Sequence, residues 1–161
     1  MPSETRALLE SARIAADDYA ACERQLIALR LRAESLGAGM VGSTGSTHAH
    51  DSLERRVIAL ADRQRDIEGR MARDEAVMDM ACDMLYGRDG RDGLAALVPT
   101  FWADALWWHY LQGETWLEVG RMLGYSPAHL KKCATAAIEV GDAYGVVATT
   151  MGEGLAEDDT Q

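Results

Sequence analysis

The chain contains 161 residues, of which 48% are hydrophobic and 26% are charged, a composition typical of one globular domain or two small ones. Its 26 acidic and 16 basic residues leave a net charge of −10. This charge excludes a protein that clamps nucleic acid through its whole surface, because phosphate contacts need cations. No apolar run reaches the roughly 18 residues of a membrane-spanning helix, and the first residues lack a secretory signal. We therefore expect a cytoplasmic protein with no membrane partner.

The three cysteines, Cys22, Cys82 and Cys133, are widely spaced and form no C-x-x-C pair. This spacing favours reduced thiols that pack as small apolar side chains over a disulfide or zinc framework. The chain also lacks a phosphate-binding glycine loop, an H-E-x-x-H motif and a nucleophile elbow. We therefore expect no enzymatic activity, no catalytic residue, no metal site and no cofactor.

A heptad pattern begins at Leu8 and continues for four heptads. Its apolar positions are spaced alternately by four and three residues, at Leu8, Ala12, Ala15, Tyr19, Cys22, Leu26, Leu29, Ala33 and Leu36. The pattern predicts one long helix from about Ser3 to Leu36, ended by Gly37 and Gly39. Residues 37–50 contain four glycines and no charged side chain, which indicates a flexible connection.

A second long helix is predicted from Asp51 to about Tyr86, because Asp51 and Glu54 match a helix N-cap and its reciprocal acid. Its seam follows the same rhythm, at Leu53, Val57, Leu60, Gln64, Ile67, Met71, Asp74, Met78, Ala81 and Leu85. The polar residues Gln64 and Asp74 set the register of the helices, mark where the helices splay, or lie at exposed edges. Helices of similar length favour an antiparallel hairpin within residues 1–88. An intersubunit coiled coil would use the same seam, and both alternatives stay open.

The character of the sequence changes beyond residue 94, where charges become sparse and all four tryptophans occur within 15 residues of one another, from Trp102 to Trp116. A third helix is predicted from about Pro99 to Leu111, with either of two faces inward: Phe101, Ala105, Trp108 and Leu111, or Trp102, Leu106 and Tyr110. The helical spacing of the tryptophans favours a role in the core of a domain spanning residues 94–145. Residues 146–161 lose periodicity and end acidic, which predicts a disordered tail.

Two capped helices are predicted within this second domain. Thr115 caps a short helix that Gly124 ends, and Ser126 caps a final helix in which Pro127 takes the first position. A short helix, a glycine turn and a capped second helix match the helix-turn-helix arrangement, in which the second helix enters the DNA major groove. The predicted fold is therefore all-α, a long antiparallel helical hairpin or coiled coil followed by a C-terminal helix-turn-helix domain.

A run of about 35 residues carries a family resemblance. It resembles sigma-70 region 4 domains and their phage-encoded relatives at Tyr110, Leu111, Gly113, Thr115, Trp116, Val119, Gly120, Leu123, Gly124, Tyr125 and Ser126. The apolar positions of the final helix match the recognition helix of that family at Leu130, Cys133, Ala137 and Ile138. The two long helices upstream are similar to the arrangement of the ArpU/RinA-type phage transcriptional regulators.

The resemblance implies a phage or prophage regulator that binds double-stranded DNA at promoters in a bacterial host and docks on host RNA polymerase. It places residues 126–141 in the major groove and assigns the DNA contacts to Ser126, Pro127, Ala128, His129, Lys131, Lys132 and Thr135. The family commonly carries Arg and Glu where this chain has Pro127 and Ala128. This departure implies few base contacts, with phosphates or DNA shape carrying part of the readout.

Only three basic residues occur between positions 99 and 145, against five acidic ones. Lys131 and Lys132, together with the N-terminal end of their helix, supply weak independent binding. We therefore expect a homodimer that binds two half-sites, or tethering to polymerase, to raise the affinity. Two alternatives are an acidic protein-binding module or inhibitor that imitates the charge of DNA, and the small subunit of a phage terminase, which would form a ring.

Overall fold

The computed structural model describes residues 1–40 and 47–152, and all regular structure within them is helical. The chain starts with two long helices, α1 (Glu4–Met40) and α2 (Thr47–Tyr86), which pack as a long helical hairpin. The prediction of an all-α chain with a long hairpin is therefore confirmed. Among the described helices, none has an apolar stretch that could cross a membrane.

Both long helices extend beyond their predicted bounds. The α1 helix continues through Gly37 to Met40, and α2 begins at Thr47, so that Asp51 lies inside the helix instead of at its N-cap. The prediction of a connection over residues 37–50 was therefore wrong for 37–40 and 47–50, and residues 41–46 lie outside the described part. A glycine that ends a helix adopts positive φ, which Gly37 does not. Within a helix it costs only about 1 kcal/mol relative to alanine.

The chain divides into two compact units, one formed by Met1–Asp17 and Glu75–Gln161 and the other by Asp18–Asp74. The start of α1 and the end of α2 thus belong to the same unit as the C-terminal helices, whereas the sequence groups residues 1–88 together. In Asp18–Asp74, the core consists of the buried residues Cys22, Leu26 and Ile67, with Leu29 and Met71 packed against them. These five are seam positions of the heptad pattern.

Five shorter helices complete the first unit: α3 (Leu94–Leu97), α4 (Thr100–Leu106), α5 (Trp116–Leu123), α6 (Pro127–Tyr144) and α7 (Val146–Met151). The α4 helix continues as a π-helical turn over Trp107–Leu111, in which the amide of Gln112 donates to the carbonyl of Trp107 over 3.2 Å. The predicted third helix, from about Pro99 to Leu111, is therefore present, and only its regularity differs from the prediction. Pro99 lies at the N-cap, and the last turn is wider than an α-helical turn.

Two hydrophobic clusters hold this unit together. The larger one combines Leu9 of α1 with Met84 and Leu85 of α2 and with residues of α3, α4, the π-helical turn and α6. The smaller one contains Ala105, Val119 and Leu130. Both predicted inward faces of the third helix are used, since Trp102 and Leu106 pack in the larger cluster and Phe101, Ala105 and Trp108 in the smaller one. All four tryptophans pack against these cores, as predicted.

The prediction of a disordered tail over residues 146–161 was wrong for its first part, which forms the helix α7. Residues 146–151 are helical, Val146 packs against the larger cluster and Thr149 is buried. Val146 and Thr149 lie on the packed face of α7, whereas Val147 is 73% exposed. The loss of long periodicity does not exclude one short packed helix. The remaining acidic residues of the predicted tail, 153–161, lie outside the described residues.

Candidate functional site

The helices α5 and α6 are joined by a tight turn that the sequence places at Gly124. Gly124 adopts a left-handed conformation with φ of 79°. The amides of Gly124 and Tyr125 both donate to the carbonyl of Gly120, over 2.9 and 3.1 Å. This pairing of two amides with one carbonyl ends α5, and α6 begins after only three residues, Gly124, Tyr125 and Ser126.

Gly120 is the point of closest approach in this turn. A Cβ atom at Gly120 would lie 2.6 Å from the carbonyl oxygen of Tyr125 and 3.5 Å from Cδ of Pro127. A Cβ atom does not come as close as 2.6 Å to a carbonyl oxygen in real proteins. The turn can therefore pack against α5 only because position 120 carries no side chain.

The N-caps predicted for α5 and α6 are both present. Oγ1 of Thr115 accepts from the amide of Glu118 over 3.3 Å, and Oγ of Ser126 accepts from the amide of His129 over 3.2 Å. Pro127 takes the first helical position of α6, as predicted. Ser126 thus has a structural role at the start of α6. Other backbone amides in the first turn of α6 have no partner within the helix and can donate to an anion.

The remaining predicted site residues lie on the outer face of α6. Ala128, His129, Lys131, Lys132 and Thr135 are exposed, and Pro127 is half-buried. The opposite face is anchored in the cores by buried residues, which are Leu130, Cys133, Ala134, Ala137 and Ile138. Oγ1 of Thr135 donates to the carbonyl of Lys131 over 2.9 Å, so its lone pairs remain available to a further donor. The structure therefore brings the predicted polar set together on one accessible surface.

His129 lies against an aromatic pair that the sequence does not indicate. Tyr125 stacks on Phe101 with ring centroids 4.6 Å apart, and the imidazole of His129 is 5.5 Å from Tyr125. Nε2 of His129 is also 3.5 Å from Sγ of Cys133. These contacts restrict the ring of His129 at the start of α6, and they join the turn to α4 through Phe101.

A second group of functional interest forms around His109, in the π-helical turn. Nδ1 of His109 lies 2.7 Å from the carbonyl of Glu114, its ring stacks on Trp116 at 4.0 Å, and Nη1 of Arg13 is 3.5 Å from its Nε2. Burial is the main reason why the pKa of His109 is lowered, and the positive charges of Arg13 and Lys131 lower it further. The sequence carries no local signal for this group, because Arg13 and His109 are 96 residues apart.

Within Asp18–Asp74, polar side chains meet at the seam between the two long helices. Arg70 pairs with Asp18, and oxygen atoms of the carboxyl groups of Asp18 and Asp74 lie within 4.8 Å of each other. Desolvation raises the pKa of Asp74, while the neighbouring Asp74 and Arg70 lower the pKa of Asp18. Asp74 therefore does not lie at an exposed edge, and it forms half of a carboxyl pair at the seam.

Cys22 brings a thiol to the same place, and one ligand atom each from Asp18, Cys22 and Asp74 lie within 4.8 Å of one another. This set was not predicted as metal ligands. Desolvation raises the pKa of Cys22, which favours the protonated thiol over the thiolate that a metal ion would bind. Asp18 is already paired with Arg70. All three cysteines are free thiols, as the spacing predicts.

Comparison with known protein families, with curated proteins and with solved structures finds no match for this chain.

Proposed function

We propose that this protein is a phage-type transcriptional regulator that binds double-stranded DNA, with α6 as the recognition helix in the major groove. The observation that carries the proposal is the leading end of α6, where Ala128, His129, Lys131, Lys132 and Thr135 share an exposed surface. The residues behind them are buried, so the helix is held rigidly by its opposite face. A rigid helix preceded by a tight turn is the geometry that places side chains against base edges.

The chemistry of the exposed residues favours a mixed readout. Lys131 and Lys132 supply cations for phosphates, and His129 and Thr135 offer hydrogen-bonding groups that reach base edges or the backbone. Ala128 offers only a methyl group, which suits contact with a thymine methyl. The resemblance to sigma-70 region 4 supports the same assignment and adds host RNA polymerase as a partner.

The low number of cations requires a second source of affinity. Three basic and five acidic residues lie between positions 99 and 145, so the helices of this segment offer few cations to DNA phosphates. A homodimer, assembled through the long helices, would place two copies of α6 on two half-sites. Tethering to polymerase would act in the same direction by raising the effective concentration.

An electrophoretic mobility shift tests the proposal. Promoter-containing fragments of a phage genome are titrated with the protein, with and without bacterial RNA polymerase. We expect the wild type to shift a subset of fragments and the variant Lys131→Glu with Lys132→Glu to shift none. The matched control, Arg30→Glu with Arg32→Glu, makes the same change of charge at two exposed residues of α1 and should bind like the wild type. Equal binding by the wild type and the lysine variant contradicts the assignment of α6.

The net charge of −10 favours one competing function, an acidic module that engages a basic protein. It predicts that no DNA fragment is shifted under either condition. Mass measurement in solution separates the remaining alternative. We expect a dimer, whereas a ring of many subunits would favour a small terminase subunit.

A further inference from the structure

The apolar seam of the two long helices is buried over only part of its length. Within Asp18–Asp74, both helices close the seam around Cys22. Farther toward the end of α1 and the start of α2, the seam residues Leu29, Leu36 and Leu60 are only half-buried. A heptad seam that its own hairpin leaves partly open can receive the apolar face of a further helix.

An open groove of about 640 Å³ follows this uncovered part of the seam. A neighbouring depression of about 250 Å³ continues the groove along α1 as far as Gln25. From Gln25 to Leu36 a helix rises about 16.5 Å, which is about three turns. The floor of the groove is apolar and consists of Leu29, Leu36, Ala59 and Leu60.

Three exposed arginines line the same groove, Arg32 on α1 and Arg56 and Arg63 on α2. Among the described residues, no acidic side chain lines it, and the cation–carboxylate pairs found there involve other arginines. Arg56 and Arg63 are seven residues apart, so they lie on one face of α2. In a chain with a net charge of −10, this groove therefore combines an apolar floor with unpaired positive charge. We call it the arginine groove.

We propose that the arginine groove binds an amphipathic acidic helix of a partner protein, with the apolar face of that helix on the floor and its carboxylates at the three arginines. An amphipathic helix recognises a groove of this kind through apolar residues spaced by three and four positions. Guanidinium groups pair with carboxylates through two parallel hydrogen bonds, and the apolar stems of the arginines extend the covered surface. Acidic residues seven positions apart on the partner would match Arg56 and Arg63.

The charge of the groove favours this occupant over two others. Symmetric pairing with the same groove of a second copy would set the three arginines against their own equivalents, and like charges across an interface repel. Duplex DNA matches the charge, but its backbone presents phosphates and not an apolar face. The groove lies in Asp18–Asp74, a compact unit that does not contain α6, so the proposal does not depend on DNA binding.

Fluorescence anisotropy with labelled helical peptides and the full-length protein tests the proposal. The first peptide has three heptads with leucine at a and d and glutamate at e and g, a pattern that also opposes pairing of the peptide with itself. The second peptide carries lysine in place of glutamate, and the third carries alanine in place of leucine. We expect the wild type to bind the glutamate peptide about tenfold more tightly than either of the others, or more.

Charge reversal in the protein separates the groove from the rest of the surface. Arg32→Glu with Arg56→Glu should weaken binding of the glutamate peptide by about tenfold or more, because each exposed pair contributes up to about fivefold and reversal adds repulsion. The same variant should bind the lysine peptide more tightly than the wild type does. The matched control, Arg30→Glu with Arg55→Glu, makes the same change on the same two helices at exposed residues outside the groove, and it should bind like the wild type.

Four results would overturn the proposal. The first is no binding of the glutamate peptide or equal binding of the glutamate and lysine peptides, and the second is an equal loss of binding in the groove variant and its control. The third is an oligomer of the wild type that Arg32→Glu with Arg56→Glu dissociates, which would assign the groove to a second copy. The fourth is a loss of DNA binding in that variant, which would assign the groove to DNA.

The variant Lys131→Glu with Lys132→Glu keeps this test apart from that of the recognition helix. We expect it to bind the glutamate peptide like the wild type, because both lysines lie in the other compact unit. A failure of α6 to bind DNA would therefore leave the arginine groove standing. Circular dichroism checks that each variant keeps the helical content of the wild type.

Discussion

His109 shows how one side chain is controlled by residues from distant parts of the chain. Its ring is held by the carbonyl of Glu114, stacked on Trp116 and approached by the charges of Arg13 and Lys131. Burial outweighs the hydrogen bond to Glu114, so the pKa of His109 is lower in the folded state than in the unfolded state. The unfolded state therefore takes up the proton first as the pH falls.

This order of protonation predicts a loss of stability in acid. The contribution of His109 to the free energy of unfolding is fully present above pH 6.5, the ordinary pKa of histidine. It decreases as the pH falls toward the lower pKa of His109 in the folded state. The slope is at most about 1.4 kcal/mol per pH unit. Urea unfolding at pH 7.5, 6.5 and 5.5 checks it, with His109→Gln as the reference. The free energies of unfolding of the wild type and His109→Gln should differ by a constant amount above pH 7, and the difference should shrink below pH 6.5. A constant difference at all three pH values would contradict the prediction.

At the scale of elements, the junction of α5 and α6 depends on a missing side chain. Gly120→Ala places a Cβ atom 2.6 Å from the backbone oxygen of Tyr125, which cannot yield as a flexible side chain would. We expect a loss of about 1–3 kcal/mol in the free energy of unfolding. Tryptophan fluorescence during denaturant unfolding measures it, because Trp116 begins α5 and the other three lie nearby in the sequence.

Gly37→Ala is the matched control for this substitution. Both glycines lie within helices, so alanine improves helix propensity equally at both. At Gly37, however, no atom of the described residues outside its own stretch of helix lies within 4 Å of the added Cβ. We expect Gly37→Ala to be neutral or stabilising by up to about 1 kcal/mol. Destabilisation by both variants to the same extent would show that steric exclusion at the turn is not the cause.

At the scale of the whole molecule, the first residues of the chain complete the unit that carries the candidate site. Leu9 is fully buried in the same cluster as Met84, Leu94 and Leu106, and Thr5 lies against Gly141 of α6. The amide of Thr5 donates to the carboxylate of Asp142 over 3.0 Å. The α6 helix and its exposed candidate surface therefore depend on the N-terminal segment for their support.

We expect Leu9→Ala to destabilise the unit that contains the tryptophans by about 2–5 kcal/mol, because it leaves a cavity in the larger core. Leu31→Ala, on the same helix but with Leu31 60% exposed, should change stability by less than about 0.5 kcal/mol. Tryptophan fluorescence reports on this unit, since all four tryptophans belong to it. If Leu9→Ala leaves the fluorescence midpoint unchanged, the N-terminal segment contributes nothing to the stability of the site.

Much of the fold and part of the site could be predicted from local patterns. The caps Thr115 and Ser126 and the turn at Gly124 depend on residues close in sequence, and all three are present. Part of the predicted seams also packs, around Cys22, Leu26 and Ile67, whereas the seam positions Ala33 and Val57 are exposed. The exposure of His129, Lys131 and Lys132 followed from the same periodicity, because the buried positions of α6 define its outer face. The extended ends of α1 and α2 and the packed helix α7 could not be predicted, since tertiary context overrides weak local signals there.

The sequence by itself determined an acidic all-α chain with long helices and a capped helix that presents two adjacent lysines, because periodicity, capping and charge are local properties. Only the tertiary structure decided that Arg13 lies at His109, that Asp18 and Asp74 form a carboxyl pair, and that Leu9 supports the C-terminal helices. Each of these depends on contacts between residues more than 50 positions apart. Such contacts are selected by how whole helices pack, which no window of neighbouring residues contains.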